Sequence, residues 1–181
     1  MKTSARKNKA ILGLLVVLFA SPSLVAYWLY RHPTSWHAAS INRGTLITTP
    51  TVLSSMPSRD VKWHLVYWDP QACDAACLDA VEKIARVRIA LGRRLYHVDV
   101  VLLQDESTKA LSAAPRQSMH ALDVREVRLS ASDVKTMQAL SPSAAYFLMN
   151  PQQQLVLRYA RQAPADDLFH DIKHLLGQSG L

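Results

Sequence analysis

The stretch Trp63-His-Leu-Val-Tyr-Trp-Asp-Pro-Gln-Ala-Cys-Asp-Ala-Ala-Cys77 joins two unlike patterns. Its first six residues form the kind of apolar, aromatic run that a buried strand uses, and Asp69-Pro70 ends it. From Asp74 to Leu91 the period is helical. Cys77, Ala80, Ile84, Val87 and Leu91 fall in one stripe, with Asp79, Glu82, Lys83 and Arg86 opposite. Glu82 and Arg86 add an i,i+4 pair on the wet face, and Gly92 is a natural stop. The chain has only two cysteines, and both sit at this turn from strand to helix. Paired thiols in such a place either exchange disulfides or hold a thiophilic metal.

Working outward, Val98-Asp-Val-Val-Leu-Leu103 reads as a second strand. Two strands joined by one helix imply a parallel pair with a right-handed crossover. The Ala/Ser-rich segment that follows, with Pro115, gives no firm pattern. Asp123–Leu129 alternates as a strand does, and Ser130 or Ser132 can cap a short helix through Leu140. Ala145–Met149 and Leu155–Tyr159, around Asn150-Pro151, read as a hairpin. A last helix starts near Pro164, carries Asp166 and Asp167 in its first turn and stops at Gly177. Its apolar face is Leu168, Phe169, Ile172, Leu175 and Leu176. The class is α/β, a central mixed sheet with flanking helices. The thiols lie at the carboxyl end of the first strand, where open α/β sheets place their sites.

The N-terminus has a different character. Residues 1–9 carry four cationic side chains (Lys2, Arg6, Lys7, Lys9) and no acidic one, and residues 10–30 are apolar and free of charge. That run is about long enough to cross ~30 Å of hydrocarbon, and a membrane helix tolerates its Pro22. Trp28 and Tyr30 stand where an interfacial aromatic belt would be. A cleaved signal peptide is the rival reading, but no A-x-A site is evident. The basic tail keeps itself cytoplasmic and sends the rest across. Residues 31–60, rich in Ser, Thr and Pro, read as a stalk with one short strand at Gly44–Thr48, leaving 61–181 as the folded domain.

The net charge of +7 is no sign of nucleic acid. The tail supplies four of those charges, leaving +3 for the rest, and no basic run interleaves with aromatics. Only five glycines are present, and no Ser/His/Asp arrangement, phosphate loop or carboxylate pair stands out.

The Trp63–Cys77 stretch resembles the SCO/SenC family, membrane-anchored thioredoxin-like proteins that assist copper-site assembly in cytochrome c oxidase. That family uses the same C-x-x-x-C spacing, and Tyr146-Phe-Leu-Met-Asn-Pro151 through Tyr159 is similar to its hairpin. The anchor followed by Gly-Thr-Leu-Ile resembles a bacterial branch of the family. The resemblance implies a thioredoxin-like domain behind an inner-membrane helix, with the domain in the periplasm. It also implies thiol-disulfide exchange or transient Cu(I) handling at Cys73 and Cys77, and an oxidase subunit or assembly factor as partner. Two departures stand out. The family's prolines after each cysteine are Asp74 and Leu78 here, and its copper-binding histidine falls at Ser141-Pro142-Ser143. Two thiolates suit Cu(I), whereas Cu(II) loses its imidazole. Thioredoxin-like sites place a cis-proline just before the strand that follows, and Pro142 stands near that position.

Other readings stay open. The cysteines could form a structural disulfide or be idle thiols, with the fold serving as a docking surface on an oxidase subunit. Cys77 lies on the helix's core face, and Cys73 lies near the amides of the helix N-terminus. Asp74 works against a thiolate there. His170 and His174 have i,i+4 spacing, which can place two imidazoles on one metal. Helical counting puts them on the wet face, where they read as exposed helix-end residues. His64, His97 and His120 read as ordinary hydrogen-bonded histidines.

Overall fold

The computed structural model describes residues 2–31, 41–57 and 61–178, and the chain divides into two units, 1–40 and 41–181. The first unit holds a helix, α1 (Lys2–Arg31), which continues through Pro22. Within it, Ile11–Trp28 has a mean hydropathy of 2.0, so the helix is long and apolar enough to cross a membrane.

In the second unit β1 (Thr45–Val52) is followed by β2 (Trp63–Asp69), α2 (Ala75–Ala90), a 3₁₀ turn at Gly92–His97 and β3 (Val98–Asp105). Then come α3 (Ala113–Ala121), β4 (Val124–Leu129), α4 (Ala131–Leu140), β5 (Ala145–Met149), β6 (Gln154–Ala160) and α5 (Ala165–Gln178). The six strands form one sheet in the order β1-β6-β5-β2-β3-β4. β2 pairs with β3, and β3 with β4, in parallel; the pairings β2–β5, β5–β6 and β1–β6 are antiparallel. This is the mixed sheet with flanking helices that the sequence implied.

Every residue of β2 is buried, because the strand has neighbours on both sides and helices on both faces. Trp63, Leu65 and Tyr67 join one core with α2 and α5, including Cys77, Ile84, Leu168 and Ile172. Val66 and Trp68 join the other, with Val134 and Met137 of α4. The apolar stripes of α2 and α5 therefore meet the same sheet face.

The expected stalk at 31–60 ends sooner than the sequence reading had it. Residues 32–40 and 58–60 lie outside the described residues, but β1 is a full edge strand on β6, and Leu53 and Met56 are buried in the second core. Two buried carboxylates fasten this segment. Asp171 of α5 accepts the backbone N–H of Arg43 (2.9 Å) and of Gly44 (2.9 Å). Asp133 of α4 accepts the N–H and hydroxyl of Ser55 (2.7 and 2.6 Å) and the hydroxyl of Ser54 (3.0 Å). Only glycine fits at 44, since a Cβ there would stand 2.5 Å from the Tyr159 ring.

Candidate functional site

The site grows out of the end of β2. Asp69, buried at the last position of the strand, accepts the N–H of Gln71 at 3.0 Å and so turns the chain outward. Asp74 then caps α2: its carboxylate accepts the Cys77 N–H at 2.9 Å. Between these two aspartates the chain loops back on itself. Cys73 and Cys77 are joined by a disulfide, with their Cα atoms 5.2 Å apart. Cys77 is fully buried in the α2-side core, whereas Cys73 is only half-buried at the surface. Of the two, Cys73 is the residue that solvent reaches, and Cys77 is packed into the core.

Beneath this turn lies a polar layer. Tyr67 donates to Asp69 at 3.4 Å, and the Tyr67 and Tyr146 rings are 5.1 Å apart. The Lys83 ammonium stands 5.2 Å from the Tyr146 ring centroid. Burial pushes the Tyr146 hydroxyl up to about 12, with Arg161 opposing the rise. Burial and then the Asp69 charge push Tyr67 higher still. Both phenols are neutral at physiological pH. Gln104 of β3 pairs in register with Asp69 and is fully buried; among the described residues neither of its amide atoms, nor the Tyr146 hydroxyl, has a hydrogen-bond partner. Sequence reading missed this layer. The available signal was one glutamine, Gln104, directly after the apolar run Val100–Leu103.

Pro142 is at the thiol end of the sheet, because the loop 141–144 leads into Ala145, which pairs with Trp68 beside Asp69. The cis-proline expectation fails, since no peptide bond among the described residues is cis. The turn is set by other contacts. The Ser141 carbonyl accepts the Trp68 indole N–H (3.2 Å), and the Ser141 hydroxyl donates to the Ser143 carbonyl (2.9 Å). A hollow of about 510 Å³ opens alongside, lined by this loop, Arg158 and Arg161.

The lone histidines are elsewhere. His64 is five residues up β2 from Asp69, roughly 16 Å at ~3.3 Å per residue, and lies 3.4 Å from the Arg125 guanidinium. His97 precedes β3 at that same far end, and His120 borders a hollow there with Lys62 and Asp99. None approaches the disulfide. Among the described residues, no three His, Cys, Asp or Glu side chains converge as a metal cage.

Residues 63–179 match the model of the transmembrane-like, thioredoxin-like, C-terminal domain family. The chain belongs to that family. Among solved structures it is similar to the apo Sco1 protein of Thermus thermophilus, with 15% identity and a TM-score of 0.57 over 77% of this chain and 99% of that one. It is also similar to copper-bound ScoI of Arabidopsis thaliana, at 13% identity and a TM-score of 0.53 over 75% and 98%. Yeast Sco1 aligns at 14% identity and a TM-score of 0.54 over 73% and 95%. At such identities the likeness establishes the fold, which is the one the SCO/SenC resemblance implied. A comparison with curated protein sequences finds no significant match. Within this thioredoxin-like family member, the disulfide occupies the mouth of α2, and no histidine stands in the 141–144 loop.

Proposed function

We propose that this protein is a membrane-anchored, Sco-type thiol-disulfide protein that serves cytochrome oxidase assembly from the periplasmic side of a bacterial inner membrane. One observation carries the reading: a disulfide at the carboxyl end of β2 with one sulfur at the surface and the other in the core. The basic tail before α1 supports the orientation.

In the reduced form the Cys73 thiolate attacks one sulfur of a partner disulfide and expels the other as a thiolate. Cys77 then attacks the Cys73 sulfur, releases the second partner thiolate and restores the internal disulfide. Two electrons pass to the partner, and a dithiol donor must return them. Between turns the two thiolates offer soft ligands for Cu(I), a cargo and not a resident metal.

Capture of partners by single-cysteine variants tests the assignment. Cys77→Ser should accumulate mixed disulfides through Cys73, while Cys73→Ser should accumulate few. Equal capture by both overturns the roles. If the double Cys→Ser variant folds and fully supports oxidase activity in cells, the alternative holds, and the fold is a docking scaffold with vestigial thiols.

A further inference from the structure

The histidine pair on α5 is more than two exposed helix-end residues. His170 and His174 are both half-buried, and their rings stack at 15° with centroids 6.5 Å apart. Both line a hollow of about 630 Å³ that neither cysteine borders. We propose that this pair is a second metal site, an open two-imidazole site for an exchangeable late first-row divalent cation, with Cu(II) the tightest.

The ring nitrogens are set up for it. His170 Nδ1 lies 2.9 Å from Asp171 Oδ1, an oxygen that can only accept here, so Nδ1 carries the proton and Nε2 keeps its lone pair. Asp171 is itself immobilised by the Arg43 and Gly44 amides and by the Tyr159 hydroxyl (2.7 Å). A buried carboxylate behind an imidazole is the arrangement that orients metal-bound histidines and raises their basicity. One turn on, the Gln178 amide nitrogen lies 3.0 Å from His174 Nε2 and donates to it. The second Nε2 therefore also presents a lone pair. A cation about 2.0 Å from each nitrogen requires the rings to lean together, which His174 achieves by exchanging its Gln178 hydrogen bond for the metal.

The charges around the hollow do not forbid this. Arg43 is paired with Asp167 at 3.0 Å, Lys173 stands over the Phe169 ring at 5.5 Å, and Arg94 also lines the hollow. Asp166 and the buried Asp171 offset the two cations left over. With the field near balance, the imidazole lone pairs decide, and nitrogen ligands favour Cu(II) over Ni(II) and Zn(II).

The test uses the full chain in detergent with its disulfide intact, so that the thiols cannot ligate. CuCl₂ is titrated against a chromogenic chelator, and the Cu(II) electron paramagnetic resonance spectrum is recorded. One copper per chain with imidazole nitrogen coupling is expected, and His170→Asn with His174→Asn should weaken binding at least tenfold. His120→Asn, at the far end, should leave it unchanged. Unaltered affinity and unaltered nitrogen coupling in the double variant would overturn the site. Because the disulfide stays closed, that failure leaves the thiol reading standing.

Discussion

The Asp74 carboxylate accepts the Cys77 N–H at 2.9 Å, so the residue that directly follows Cys73 also starts the helix that carries Cys77. It satisfies an amide that would otherwise be free at the helix N-terminus. Its charge is exposed one residue from Cys73, where it opposes the thiolate that reduction creates.

These two effects separate in two variants. Asp74→Ala should lose the cap and about 1 kcal/mol of stability, measured by urea unfolding. Asp74→Asn keeps an equally good cap and removes the charge. In the reduced protein it should be alkylated at Cys73 several-fold faster than wild type at neutral pH. An unchanged rate would mean that solvent screens Asp74 fully.

The clasp at Asp171 gives a pH signature. Burial acts to raise its carboxyl, but the bonds from His170, the Gly44 amide, the Tyr159 hydroxyl and the Arg43 amide outweigh burial and hold it below the ordinary carboxylate range. The same competition, with Ser55 and Ser54 as donors, lowers Asp133. A carboxyl depressed on folding stabilises the folded state fully above its unfolded value, near pH 4. That stability is lost as pH falls toward the folded value. Wild-type stability should therefore drop steeply below about pH 4. Asp171→Asn should be less stable by about 2 kcal/mol at pH 7 and flatter in that acid window. Parallel acid profiles for the two proteins would contradict the clasp.

These clasps also show what the sequence could convey. β2 and α2 were legible because both signals are local: an unbroken apolar run ended by Asp69-Pro70, then a stripe through Cys77, Ala80, Ile84 and Val87. β1 was legible only at Gly44–Thr48. It is a mostly exposed edge strand containing Pro50, so no alternation marks it, and its anchors at Asp133 and Asp171 are far away in sequence. α3 was missed because Pro115 suggested a break. The proline sits in the first helical turn, where its absent N–H costs nothing, and the helix buries only Met119. The turn holding the disulfide was visible as a motif. The tyrosine and glutamine layer below it was not, since it exists only once β2, β3 and β5 lie side by side.

Gln104 is the sharpest case in that layer. A fully buried amide with no partner among the described residues carries a desolvation cost, and an apolar residue of similar volume removes it. Gln104→Leu should raise the stability of the oxidised protein by about 1–2 kcal/mol, read from chemical unfolding. A destabilised variant would show that the amide is bonded in solution.

Pro142 offers a gain-of-function prediction at the other side of the turn. It stands at the thiol end of the sheet, at the place where the SCO resemblance puts a histidine, and its peptide bond is trans like its neighbours. In a background with His170 and His174 changed to Asn, the reduced full-length chain should bind one Cu(I) through its two sulfurs and lose it on Cys73→Ser/Cys77→Ser exchange. Cu(II) should bind poorly, since the 141–144 loop supplies no imidazole. Pro142→His should then raise Cu(II) affinity at least tenfold and bring in sulfur-to-copper charge-transfer absorption that the double cysteine variant lacks. If the histidine leaves Cu(II) affinity unchanged while Cu(I) still binds, the 141–144 loop does not face the sulfurs closely enough to share a metal with them. The protein would then carry copper on two thiolates alone.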